Sequence, residues 1–177
     1  MYREFILLIV DYFKTIRCKT FTYEWVIPIV LGVVTFLVTI TKYLKIDYLG
    51  FVNSSVNLLG VLLGFSIMVI TVLTTSNNKN IEKIKKIETE YVLYQKNISL
   101  YRLLLINYSY LIIAEALGLT NYFILLIFVN SCSHQIKLIL FSVFTSMIIH
   151  ILLLTIRNVT DFYLIITKEE TDDSSVK

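Results

Sequence analysis

Four side chains able to carry chemistry lie in strongly apolar surroundings: Glu115, Ser142, Ser146 and His150. Glu115 stands about twelve residues from the flanking Arg102, near the middle of a long apolar run. There an ionised carboxylate costs at least about 2.5 to 3.5 kcal/mol, and desolvation favours the protonated form. Two roles suit it: a protonated carboxyl in an interhelical hydrogen bond, or a group that gates, binds an ion or senses protons. Ser142, Ser146 and His150 follow at four-residue steps, so they share one helix face, which Arg157 roughly continues. His150 suits an interhelical hydrogen bond or a proton relay. At about 1.5 Å of rise per residue it lies about 8 Å nearer the inner boundary than Glu115, so only a water-filled path would join them. The same arithmetic brings Glu115 level with Gly64 and with Thr145 or Ser146, which offer room and a hydroxyl. No nucleophile with its base, metal-ligand spacing or phosphate loop accompanies these groups. No catalytic residue, metal or cofactor is therefore expected.

These residues depend on helices that cross a bilayer. Of 177 residues, 56% are hydrophobic and 16% charged, against about a quarter charged in soluble domains. The apolar residues cluster into runs near the length needed to span hydrocarbon, about 20 residues. Four spans are predicted, at about 25–43, 51–75, 103–128 and 138–156. Pro28 is expected in the first turn of the first span, with Tyr23 and Trp25 at the headgroups. The fold class is all-α, a polytopic membrane protein with too little remaining chain for an ordinary catalytic domain, so it is not expected to be an enzyme. Thirteen lysines and arginines fall in the N-terminal segment, the loop after the second span and the tail, against Lys42, Lys45 and Lys137 elsewhere. The positive-inside rule places both termini in the cytoplasm, and a bacterial inner membrane is the expected location. It also puts Cys18 inside and Cys132 outside, so they cannot pair within one chain.

Within the second span, Asn53, Asn57, Gly60, Gly64, Met68, Thr71 and Thr75 recur at steps of three and four and fall within about 80° of one another. Gly60 and Gly64 form a G-x-x-x-G step that lets two backbones approach. Asn57, Gly60, Gly64 and Thr71 are the expected helix-packing or oligomer contacts, with pore lining as the alternative.

Outside the spans, residues 1–22 read as an amphipathic interfacial helix, lying on the membrane or packed on the protein's own cytosolic elements. Residues 23–157 form the membrane domain and 158–177 a tail whose last ten residues are expected to be disordered. From Lys79 to Ile98, Ile81, Ile84, Ile87, Tyr91, Tyr94 and Ile98 recur at helical intervals, which predicts a cytosolic helix with a coiled-coil-like seam. Lys79, Lys83, Lys85, Lys86, Tyr91 and Arg157 are the expected contacts for a cytosolic partner. The net charge of +3 does not point to direct binding of nucleic acid.

The run Leu58-Leu59-Gly60-Val61-Leu62-Leu63-Gly64-Phe65-Ser66, the succeeding Thr74-Thr75-Ser76-Asn77-Asn78-Lys79-Asn80 and the amphipathic start resemble the small membrane subunits of bacterial anti-phage systems. In size and layout the chain is most similar to the membrane subunits of the Kiwa system. The resemblance implies a homo-tetrameric inner-membrane sensor of phage attachment or membrane disturbance, bound to a cytosolic effector. It carries over no functional residue. Two other functions fit the residues: a small channel or transporter using Glu115 and His150, and a bacteriocin-immunity-like protein that docks another membrane helix.

Overall fold

The computed structural model describes residues 2–41, 47–76, 79–128 and 133–174. Lys42, Tyr43, Lys45, Asn77, Asn78, Cys132 and Lys177 lie outside the described residues. Helix α1 (Tyr2–Thr15) is followed by α2 (Cys18–Phe21), a π-helical turn (Thr22–Val26) and α3 (Ile27–Ile40). Then come α4 (Tyr48–Thr75), α5 (Lys79–Lys86), strands β1 (Glu88–Leu93) and β2 (Lys96–Ser99), α6 (Leu100–Phe128) and α7 (His134–Ser174). Four helices are long and apolar enough to cross a membrane: Cys18–Ile40, Gly50–Thr75, Leu100–Ile127 and His134–Leu164. The first begins seven residues before the expected start at Trp25. The last is not stopped by Arg157 and Asn158, and α7 runs on through the acidic stretch to Ser174, where a disordered tail was expected.

The chain folds into two compact units, one of Met1–Ile16, Ser66–Leu111 and Leu154–Lys177, the other of Arg17–Phe65 and Ile112–Leu153. In the first, α1 buries Tyr12 together with Asp11 and Thr15, while Ile6, Leu7, Val10 and Phe13 remain exposed. Tyr12 stacks on Tyr110 with ring centroids 3.6 Å apart, and the Arg157 guanidinium lies 6.0 Å from the Tyr12 ring. Tyr108 donates its hydroxyl to the Asn158 carbonyl at 3.1 Å. The buried residues of α1 pack it within its own unit, while its exposed apolar residues leave the kind of face that an interfacial helix lays on a membrane.

The predicted helix over 79–98 is corrected. Only Lys79–Lys86 is helical, and the rest is an antiparallel hairpin with Leu93 paired to Lys96 and Val92 to Asn97. Its turn residues Tyr94 and Gln95 have φ of 52° and 65°, the left-handed pair of a type I′ turn. Helical spacing of Ile87, Tyr91, Tyr94 and Ile98 coexists with alternation of Thr89, Tyr91 and Leu93 toward the interior, and the alternation prevails. Each non-glycine left-handed residue costs about 1 to 2 kcal/mol, so contacts made by the tip must offset it. One such contact is the hydrogen bond that Tyr94 Oη donates to Asp11 Oδ1 at 2.9 Å.

That bond, followed by burial and the nearby negative charge, raises the Tyr94 pKa above its ordinary value of 10.0. Because the folded-state pKa is raised, the stabilisation is present below about pH 10 and fades as pH rises through the folded value. Hydrogen exchange at the hairpin tip is expected to accelerate above about pH 10, beyond the intrinsic pH effect, and Tyr94→Phe is expected to exchange fast already at neutral pH.

Candidate functional site

The second unit holds three buried ionisable side chains, Glu24, Glu115 and His150. The His150 ring meets the Glu24 main chain where the first span departs from regular helix. Pro28 has no N–H, so it cannot donate to the carbonyl four residues earlier, which belongs to Glu24. The helix widens there: Ile27 donates its N–H to the carbonyl of Thr22, five residues back, across the Thr22–Val26 turn. His150 Nδ1 lies 2.6 Å from the Glu24 carbonyl oxygen. A carbonyl only accepts, so Nδ1 carries the hydrogen. The Trp25 ring stands 4.5 Å from the imidazole, centroid to centroid, at 44°.

The same α7 face continues this seam toward the other end of the span. Ser142 Oγ donates to the Gly32 carbonyl at 2.5 Å. A Cβ placed on Gly32 would lie 2.8 Å from Ser146 Cβ, closer than such atoms ever stand. The eight residues from Glu24 to Gly32 match the eight from His150 back to Ser142, as two antiparallel helices require. Ser142, Ser146 and His150 are therefore one docking edge directed at the first span. Ser146 is placed against Gly32. Thr145 gives its hydroxyl to the carbonyl of Phe141 in its own helix.

Glu115 is fully buried on α6. One turn on, a Cβ at Gly118 would come within 3.1 Å of Leu59 Cδ1 and of Ile151 Cδ1, so α4 and α7 both approach α6 there. The glycines at which two described helices approach closely are thus Gly32 and Gly118, whereas Gly50 is crowded by Asp47 just before its own helix. A Cβ added at Gly60 or Gly64 would meet nothing within 4 Å, and Asn57 and Thr71 on the same stripe are exposed.

Lys79, Lys83, Lys85 and Lys86 are exposed on α5, while Tyr91 is half-buried on β1. Arg157, also half-buried, donates from Nη2 to Asn158 Oδ1 at 3.3 Å and lies 3.9 Å from Asp161 through Nε. With its place over the Tyr12 ring, these contacts tie it to α1 and to its own helix α7.

Sequence reasoning missed Glu24. It sits between Tyr23 and Trp25, and that aromatic flank reads as a headgroup boundary. The available signal was the four-residue step from Pro28 back to Glu24, which marks a carbonyl in need of a donor. Among the described residues, no group of three or more His, Cys, Asp or Glu side chains is arranged to hold a metal ion. Chemically, the site can hold two helices together through a titratable ring and can keep carboxyl groups away from solvent. No family model, curated protein or solved structure matches the chain.

Proposed function

We propose that this protein is a non-enzymatic, oligomeric sensor or scaffold subunit of a bacterial inner membrane that couples membrane disturbance to a cytosolic effector. One observation carries the reading: Asn53, Asn57, Gly60, Gly64, Met68, Thr71 and Thr75 are all exposed along one face of α4. The Thr71 and Thr75 hydroxyls are bonded to carbonyls of their own helix, so what the stripe offers is room: open space over two glycines admits a second helix at close range. A second copy of the chain fits that space, and the resemblance to anti-phage membrane subunits suggests a homo-tetramer. The hairpin, where Val92 and Tyr94 are exposed together with the neighbouring Ile87, offers the apolar anchors that a cytosolic partner needs. Both termini lie in the cytoplasm in this reading, as the basic residues require.

A channel or transporter is the second reading, favoured by three buried ionisable groups in one unit. Blue-native electrophoresis with cross-linking separates the two. Gly60→Leu with Gly64→Leu is expected to convert the assembled species to monomer, raising its dissociation constant at least about tenfold, which is about 1.4 kcal/mol. Because a Cβ added at either glycine meets nothing within 4 Å, the monomer's own melting temperature is expected to stay unchanged. An unaltered oligomer would overturn the assembly reading. Proton or ion flux from vesicles containing the monomeric variant would establish the channel in its place.

A further inference from the structure

The α5 helix divides its surface sharply. Ile81 and Ile84 are buried and hold it to its unit, while Lys79, Lys83, Lys85 and Lys86 are exposed with Glu82 among them. Lys79, Lys83 and Lys86 follow at steps of four and three, so they line one face. Lys85 lies with its Nζ 5.0 Å from the centre of the Tyr101 ring. Glu88 and Glu90 are exposed on the adjoining strand.

Chain length fixes where this face sits. The second candidate span ends at Thr75 and α5 begins at Lys79. Four residues reach at most about 14 Å, so Lys79 lies within one to two Debye lengths of the end of the span. The lysine face also lacks what a protein-binding surface requires. Its described exposed residues are all charged, with no apolar or aromatic anchor among them, whereas the centre of a protein interface is depleted in lysine. A dense layer of mobile anionic headgroups suits such a face, because it needs charge and proximity but no shaped pocket.

We propose that the α5 lysine face is a binding surface for anionic phospholipid headgroups. Each lysine beside an anionic surface is worth about a fivefold gain in binding. Contact with the folded helix then lowers the population of its open form. The contact stands without the sensor reading. It deepens that reading by naming the membrane property sensed, the anionic charge of the inner leaflet.

The test compares hydrogen exchange of the full chain in nanodiscs of phosphatidylcholine and in nanodiscs with roughly a third phosphatidylglycerol. Amides of Lys79–Lys86 are expected to exchange at least about fivefold more slowly with phosphatidylglycerol. The difference is expected to vanish in about 1 M salt, where the Debye length is about 3 Å. It is also expected to vanish in the variant combining Lys83→Gln, Lys85→Gln and Lys86→Gln, whose side chains are exposed and whose fold is checked by unchanged exchange at buried α6 amides. Equal exchange in the two lipids overturns the proposal. So does protection by soluble polyglutamate alone, which would assign the lysines to an acidic protein. If the lipid effect holds in the wild type but the glutamine variant still protects cells fully against phage, the lipid site stands and the sensor reading fails.

Discussion

Replacing Gly32 with leucine is expected to separate the first span from α7 and leave little folded protein. The smallest possible addition, a Cβ, already meets Ser146 Cβ at 2.8 Å and the Ser142 carbonyl oxygen at 3.3 Å. Neither can yield freely, since Ser142 is bonded to the Gly32 carbonyl and both serines belong to a continuous helix. Overpacking alone costs about 1 to 3 kcal/mol, and loss of the Ser142 bond to a buried carbonyl costs about 1 to 3 kcal/mol more. The graded series is the decisive test. Gly32→Ala is expected to lower the melting temperature in detergent, and adding Ser146→Gly is expected to recover much of the loss by removing the clashing carbon. Failure of the second substitution to rescue the first would show that the two helices do not meet there.

The second large effect concerns His150. His150→Leu leaves the Glu24 carbonyl without its ring donor, a loss of about 1 to 3 kcal/mol. For a chain of this size that corresponds to roughly 2 to 4 °C per kcal/mol. His150→Asn is expected to retain most of the stability, because its amide nitrogen can occupy nearly the place of Nδ1. Pro28→Ala supplies the sharper diagnosis. It restores the N–H that an α-helix directs to the Glu24 carbonyl, so the Pro28→Ala, His150→Leu double variant is expected to melt higher than His150→Leu alone. Strictly additive effects of the two substitutions would mean that proline and histidine do not serve the same carbonyl.

How much of this was legible follows from the physics of each element. The four spans were plain because long apolar runs have few other uses. The edge formed by Ser142, Ser146 and His150 was plain from its four-residue step, but its partner was not. Helical spacing reveals which residues share a face and is silent about what that face meets. Pro28 reads as a first-turn proline, where its missing N–H has no consequence; with the helix beginning at Cys18, the same atom opens a turn and creates an acceptor. The hairpin was hidden because Tyr94-Gln95 carries none of the glycine or asparagine that marks a type I′ turn, and because its apolar residues also satisfy a helical period. The α4 stripe was legible as a distinct face. Its glycines pack against nothing inside the chain, which distinguishes an outward surface from an internal seam.

The widened turn at Thr22–Val26 also has a consequence for how this helix can change over generations. A π-helical turn holds one residue more than the α-helix it interrupts, and one residue is about 100° of rotation. Cys18 and Phe21 therefore point in directions that a wheel drawn back from Ile27–Ile40 does not give. Loss of a single codon within the turn would close it into regular α-helix, with Cys18 and Phe21 still facing as they do and every residue from Ile27 onward in register. A one-residue deletion elsewhere in a spanning helix turns one part against the other by about 100°; here it would leave both faces where they are.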